Sequence, residues 1–380
     1  MSYLFDSISR TGKMRVICCI VCVFMVMPIL YGKEPIKEGE ERPLDSIQLQ
    51  GVEVYGLSTH QYGQGVKKIS ISNTQLQQAQ NLSLSSLLSS STTLFIKSNS
   101  EGGLATPSFR GTGASHTQVL WNGIPINSQL NGSADFSTIP VFFNDEIALL
   151  YGSASLGQGS GALGGSVSLK TTPEWGAKNK IELFQEIGSF GTYQTFLSAT
   201  FANAKFASKT KAFYGQSANN YPYWNTANGS AYKTLERRQH ADYQKSGVLQ
   251  EFYYKPKSTQ QWALKVYGHQ YFRHIPTPII VNSNNGKEKE GGNSLKSVLE
   301  FSQVKMHAAL DVSLAYLIDD MYYIDDRKME KQKSKHQYQS FFLHGNYKYI
   351  FGKLSLKGGV QADYHFAKSN YYQALHSRLQ

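Results

Sequence analysis

From Pro173 onward the chain alternates between apolar and polar positions. Tyr193, Thr195, Leu197, Ala199 and Phe201 fall on one face of an extended segment, with Gln194, Ser198 and Thr200 on the other. The same period of two sets Trp262, Leu264 and Val266 against Gln261 and Lys265, and Leu310, Val312, Leu314, Tyr316 and Ile318 against Asp311, Ser313 and Asp319. It returns in Leu354, Leu356, Val360, Ala362, Tyr364 and Phe366, opposed by Ser355, Lys357, Gln361, Asp363 and His365. Side chains of a strand alternate between faces, so each run predicts a strand with one apolar and one polar side. There are about nine such runs of about 9 to 13 residues, the length a tilted strand needs to cross a bilayer. Strands of a soluble sandwich average only about 5 or 6 residues. The connections agree with a membrane barrel. Phe351-Gly352-Lys353 is a tight turn, whereas Gln216 to Ser246 and Pro276 to Asn293 are long and polar. Short turns on one side and long loops on the other are the pattern of transmembrane barrels.

Before Pro173 the pattern is mixed. Val52, Val54, Ile69 and Ile71 belong to short extended pieces. Asn73-Thr74-Gln75-Leu76 reads as a helix start, with Asn73 or Thr74 able to cap it. Leu82, Leu84, Leu87 and Leu88 follow Asn81 at helical spacing and predict a buried helix face. Leu94-Phe95-Ile96 and Val119-Leu120-Trp121 read as strands, and Trp121-Asn122-Gly123 as a hairpin, because Asn-Gly accepts the positive φ of a tight turn. Together the two patterns predict an α+β domain followed by an antiparallel transmembrane β-barrel.

The one long apolar run is Val16 to Leu30, preceded by Arg10, Lys13 and Arg15 and broken by Pro28. A basic start, a short apolar centre and a small residue at Gly32 describe a cleaved export signal over residues 1–32; the alternative is a retained membrane anchor. Cys18, Cys19 and Cys22 all lie inside it, so the mature chain is expected to hold no disulfide, thiolate metal site or cysteine nucleophile. The signal carries three basic residues and Asp6, so its removal lowers the formal charge from +11 to +9. The Lys and Arg are interleaved with Tyr and Phe along the alternating runs. That distribution fits a surface facing anionic lipid headgroups, and an exported chain meets no nucleic acid.

Candidate chemistry is sparse. Gly159-Ser160-Gly161-Ala162-Leu163-Gly164 has the spacing of a dinucleotide loop, but a strand follows it where a helix is needed. Its glycines are read as tight turns. His116, His240, His269, His274 and His344 are isolated. Asp319-Asp320 and Asp325-Asp326 flank an expected loop tip at Met321 to Ile324. They read as a solvated loop, with Ca²⁺ binding as the alternative. No nucleophile elbow or catalytic carboxylate pair stands out. The sequence therefore points to no enzyme, no cofactor and no metal site.

Several stretches, in order, resemble the plug of TonB-dependent receptors. They are Leu84-Ser85-Ser86-Leu87-Leu88 with Leu94-Phe95-Ile96-Lys97, Phe109-Arg110-Gly111, His116 to Asn127, Ile139-Pro140, Glu146-Ile147, and the Gly-rich Leu149 to Lys170. Two positions depart from that family: Asn122 stands where Asp is common, and Tyr151 where Arg usually faces barrel carboxylates. The resemblance implies a signal over 1–32, a periplasmic segment over 33–57, a plug over 58–172 and the first part of a barrel over 173–380. The barrel is expected to be incomplete, since such barrels close with about 22 strands. It also implies a bacterial outer-membrane location, with outer-membrane lipids and the energy-transducing TonB protein as partners.

The resemblance further assigns candidate residues. Val52-Glu53-Val54-Tyr55 is expected to be the TonB box, adding itself as a strand to TonB; an ordinary first plug strand is the alternative. Arg110 and Gly111 are expected to form a latch to barrel carboxylates, or simply an ion pair of the fold. The apical loops Asn99-Ser100-Glu101-Gly102-Gly103-Leu104 and Asn127-Ser128-Gln129-Leu130 are expected to touch a small-molecule nutrient. Asn219-Asn220-Tyr221-Pro222-Tyr223, Arg273-His274-Ile275-Pro276 and Gly111 to Thr117 resemble vitamin B12-type receptors most. That implies cobalamin or a related corrinoid, with a siderophore or haem as runner-up. A passive porin or an adhesion barrel is the reading from another class.

Overall fold

A computed structural model describes residues 67–98, 100–152, 161–227, 233–276, 288–326, 332–352, 354–370 and 376–379, all within one compact unit, Leu57–Gln380. The signal and the Val52–Tyr55 segment lie outside the described residues.

The first part runs β1 (Lys68–Ser70), α1 (Asn73–Gln78), α2 (Leu84–Ser91), β2 (Phe95–Ser98), β3 (Ala105–Ser108), β4 (Thr117–Trp121), β5 (Ile124–Pro125), β6 (Glu146–Tyr151) and β7 (Gly165–Lys170). Five of its strands form one sheet in the order β1-β6-β7-β4-β5, and β2 and β3 form a separate hairpin. In that sheet β4 and β7 run parallel. Ser72, not Asn73 or Thr74, caps α1: its hydroxyl accepts from Gln75 N, and the Gln75 side chain accepts from Ser72 N. This reciprocal capping box places the helix start one residue earlier than the sequence indicated. The helical leucines behave as expected, with Leu84, Leu87 and Leu88 fully buried. Asn122 and Gly123 both adopt positive φ, 48° and 82°, in the expected hairpin.

The second part is a ten-stranded antiparallel meander. Its strands are β8 (Lys180–Gly188), β9 (Thr192–Ala202), β10 (Phe206–Ser217), β13 (Tyr243–Lys257), β14 (Gln260–Ile275), β15 (Glu288–Val304), β16 (Ala308–Asp325), β17 (Gln332–Phe351), β18 (Leu354–Ser369) and β19 (His376–Leu379). A small outer hairpin, β11 (Pro222–Asn225) with β12 (Thr234–Arg237), interrupts the long β10–β13 connection. The β8–β9 and β9–β10 connections are both short, and from β10 onward longer connections alternate with short turns, as expected of a transmembrane barrel. The longer strands extend well beyond the apolar runs. β16 continues through Met321 to Ile324, which pair with His336 to Lys333, so these residues are strand and not a loop tip. Met321 and Tyr323 lie on one face and Tyr322 and Ile324 on the other, so the apolar–polar alternation is lost there, which hid the strand from a hydropathy reading.

The two faces of this wall differ. Outward positions form cross-strand apolar rows. Tyr254, Trp262 and Phe301 make one aromatic row, and Leu264, Leu299, Leu314 and Leu343 the next. Inward positions carry charge and aromatic rings, and on them the plug sits. One contiguous apolar core includes Trp121, Phe142, Phe143 and Val167 of the plug together with Phe196, Phe213, Leu249 and Tyr267 of the wall. The fold is thus an α+β plug packed on the inner face of an open antiparallel sheet.

Candidate functional site

The plug meets the wall at two charged contacts joined by an aromatic one. Lys209 and Lys211 occupy alternate positions of β10 and therefore share its inward face. The plug chain makes a single 3-10 turn at Val141–Phe143 and delivers Asp145 between them. Asp145 Oδ2 lies 2.8 Å from Lys209 Nζ, and Oδ1 lies 2.9 Å from Lys211 Nζ. Lys211 Nζ also donates to the Phe142 carbonyl at 2.9 Å, and Lys209 Nζ reaches Glu174 at 3.1 Å. The Asp145 carboxylate accepts a further bond from Thr172 N at 2.9 Å. Burial opposes ionisation of Asp145, but Lys211 and Lys209 more than offset it and hold its pKa down at about 2.

Between the charged contacts, Phe142 and Phe143 insert into an aromatic wall. Phe142 meets Phe196 edge-on with centroids 5.2 Å apart, and Phe143 meets Phe213 and Tyr267 at 5.3 and 5.2 Å. Trp121 closes on Tyr267 at 5.7 Å. At the hairpin tip, the Asn122 side-chain oxygen accepts from Thr171 N at 3.0 Å and from Lys265 Nζ at 2.9 Å. Lys265 is held in turn by Glu300 at 2.9 Å.

Toward the long-loop end, Arg273 of β14 grips two plug segments at once. Its Nη1 lies 2.8 Å from Asp135 Oδ2 and donates to Ser137 Oγ at 3.0 Å and to the Gly102 carbonyl at 3.2 Å. Its Nη2 pairs with Glu290 of the neighbouring strand. Asn219 Nδ2 donates to the Glu101 carbonyl at 3.0 Å. Gly102 has φ +70°, and a Cβ there would come within 2.1 Å of the Tyr243 ring. Asn219 and Arg273 both belong to segments that carry the vitamin B12-type resemblance, so those segments supply the clamp on the apical loop.

The expected site residues separate accordingly. Arg110 and Gly111 both have positive φ. Arg110 is exposed and lies over the Tyr151 ring at 5.9 Å; among the described residues it pairs with no carboxylate. The ion pairs across the interface have the opposite polarity, with acids on the plug and bases on the wall. Of the first apical loop, Asn99 is outside the described residues, Ser100, Gly102 and Gly103 are half-buried, and Glu101 and Leu104 are exposed. In the second loop, Asn127 is internal: Oδ1 accepts from Val119 N, and Nδ2 donates to the carbonyls of Thr117 and Gly132, each at 2.8 Å. Ser128 accepts from Leu130 N at 3.2 Å, leaving Gln129 and Leu130 as the exposed tip. The sequence reading did not single out Asp135, Asp145, Lys209 or Lys211. The available signal was the pair of lysines two apart on a strand's polar face. Among the described residues no cluster of three or more His, Cys, Asp or Glu could hold a metal ion. Asp319 instead faces inward toward Lys296, 3.6 Å away.

Comparisons with known proteins place this geometry. The family model described as the TonB-dependent Receptor Plug Domain matches residues 61–166. The chain is 37% identical over 81 residues to the vitamin B12 transporter BtuB of Vibrio vulnificus, covering 20% of this chain and 13% of that protein. It is 36% identical over 121 residues to the vitamin B12 transporter BtuB of Photobacterium profundum, covering 30% of this chain and 20% of that protein. Among solved structures, the copper transporter OprC superposes with a TM-score of 0.64 at 15% identity, over 80% of this chain and 46% of that one. The FrpB iron transporter of Neisseria meningitidis gives 0.65 at 13% identity, over 81% and 50%. The siderophore receptor PiuA of Acinetobacter baumannii gives 0.61 at 14%, over 80% and 46%. The chain therefore spans half or less of each of these three structures. At these identities the structural likeness shows the fold alone.

Proposed function

Because this chain carries the plug domain of the TonB-dependent receptors and wall strands of their outer-membrane barrel, we propose that the complete protein imports a scarce nutrient by energy-coupled rearrangement of that plug. The carrying observation is how the plug is held. Asp145 accepts charge-assisted hydrogen bonds from Lys209 and Lys211, and Asp135 forms an ion pair with Arg273; such contacts are strong at rest and separable by a directed pull. Arg273 and Asn219 tie the apical loop to the wall just below the outer loops, so a ligand touching that loop acts on the same interface. Val52-Glu53-Val54-Tyr55, with its β-branched residues, supplies a segment for strand addition to TonB. The ligand is captured outside, the plug shifts, and the coupling segment is drawn by TonB. No step is chemical catalysis.

The ligand we favour is cobalamin or a related corrinoid. Two relatives whose sequences match parts of this chain at 36–37% identity are vitamin B12 transporters. The siderophore, iron and copper proteins resemble it only in fold. A siderophore or haem is the alternative ligand. Glu101, Leu104, Gln129 and Leu130 are the exposed side chains of these apical loops offered to it.

Deleting Val52 to Tyr55 from the full-length protein tests the mechanism. Uptake should vanish while surface binding persists; unchanged uptake would mean a passive pore. Cobalamin binding, read from its colour, tests the ligand. Saturable binding that neither a ferric siderophore nor haemin displaces is expected. Displacement by one of them transfers the assignment to it.

A further inference from the structure

The outward face of the wall carries a groove of about 440 Å³. Its floor is a cross-strand row of Leu264, Leu299, Leu314, Leu343 and Ala362, each paired with the next from β14 to β18. The adjacent row, Ser297, Tyr316, Phe341 and Tyr364, forms its aromatic side, with the Tyr316 and Phe341 rings 4.7 Å apart. Two small residues, Ser297 and Ala362, lie among these large ones and deepen the depression. Ser297 Oγ donates to the Tyr316 carbonyl at 3.2 Å, so its hydroxyl is already satisfied. Leu314 and Phe341 remain 49% and 48% exposed. A surface of this kind is stable only against hydrocarbon.

Beyond the groove, toward the long loops, the outward positions turn basic. Lys333 and Lys289 flank Ile324 in one row. Lys335 and Lys368 project from β17 and β18 nearby, and both are exposed. Asp320, opposite Gln337, is the single carboxylate among the described outward positions of this zone. Lys368 lies four strand positions past Tyr364, about 13 Å at 3.3 Å per residue. For a strand tilted by about 40° this is about 10 Å along the membrane normal, within the roughly 15 Å hydrocarbon depth of one leaflet.

We propose that this surface is a binding site for one acylated, phosphate-bearing membrane lipid. The acyl chain lies between the leucine and aromatic rows, and the headgroup phosphate rests against Lys335 and Lys368. Apolar area fixes the chain, and ammonium–phosphate attraction selects the headgroup. The proposal rests on the wall being part of an outer-membrane barrel, as the family implies.

Native mass spectrometry of the detergent-purified full-length protein, offered phosphatidylglycerol and phosphatidylcholine with matched acyl chains, tests it. The wild type should retain one phosphatidylglycerol at least tenfold more often than phosphatidylcholine. Lys335→Glu with Lys368→Glu should erase the preference without unfolding the barrel. Ala362→Trp, which fills the groove, should remove retention of both lipids. Heat-modifiable gel migration, unchanged in each variant, separates loss of the site from loss of the barrel. Equal retention of both lipids by the wild type, wild-type retention in either variant, or a second copy of the protein on this face would overturn the proposal.

Discussion

Asp145 of the plug stands 2.9 Å from Lys211 of the wall, across 66 residues of sequence. Lys209 closes on the other carboxylate oxygen, so one plug acid is shared by two wall cations. The shared carboxylate is mostly buried, and both ammonium groups are nearly so. Charges in such a place are stable only while paired.

Asp145→Asn should therefore loosen the plug. The amide keeps the shape but leaves buried Lys211 without its carboxylate and Lys209 with only the more exposed Glu174. Removing one side of a buried pair costs about 3–5 kcal/mol. In the full-length protein the plug should be released at a lower urea concentration, seen as earlier protease cleavage within 67–170, while the barrel transition stays in place. Lys211→Met should cost less, since Asp145 retains Lys209. Equal plug release in wild type and Asp145→Asn would remove the latch from the account.

The same contact sets a pH window. Asp145 has its pKa depressed from 3.8 to about 2 in the folded protein. A depressed acid contributes stability that is fully present above its unfolded pKa and lost as pH falls through the folded value. The latch should hold unchanged from pH 7 down to about 4 and weaken between about 4 and 2. Protease protection of the plug measured across that range checks it, and Asp145→Asn should flatten this part of the profile.

Gly102→Ala should disturb the apical loop specifically. The residue has φ +70°, and an added methyl would collide with the Tyr243 ring at 2.1 Å. Either the ring or the loop must move, and the Arg273 bond to the Gly102 carbonyl goes with it. Left-handed backbone costs alanine about 1 kcal/mol more than glycine even without the clash. Ligand affinity should fall several-fold with little change in global unfolding. Gly111→Ala, also at positive φ but with no heavy atom within 4 Å of the added carbon, is the control for strain alone.

What the sequence disclosed follows from the range of each interaction. The Asn122-Gly123 turn, the buried Leu84-Leu87-Leu88 face and the outward rows were legible because each depends on spacing within a few residues. The α1 cap slipped by one position because Ser72, Asn73 and Thr74 can all cap, and only the Gln75 side chain decides among them. Asp145 was invisible because nothing local marks it; its meaning comes from lysines on a strand that forms far along the chain. Arg110 attracted attention through resemblance, yet here its guanidinium lies beside Tyr151, where the family usually carries arginine. The residue at 151 changes what Arg110 has next to it, and no single-position reading registers that pairing.

Asn122 allows backbone and side-chain contributions to be separated at the hairpin tip. Its φ of 48° is acceptable to Asn and Gly and strained for Ala. Its oxygen also accepts from Thr171 N and Lys265 Nζ. Asn122→Gly keeps the backbone and loses those bonds, at a cost of about 1–3 kcal/mol for acceptance from a charged donor and a buried amide. Asn122→Ala loses the same bonds and adds about 1 kcal/mol of left-handed strain. Plug stability should therefore rank wild type above Asn122→Gly above Asn122→Ala in urea-dependent protease protection. If Gly matches the wild type, the hairpin tip owes its stability to the turn alone, and Lys265 is held in place by Glu300 without help from the plug.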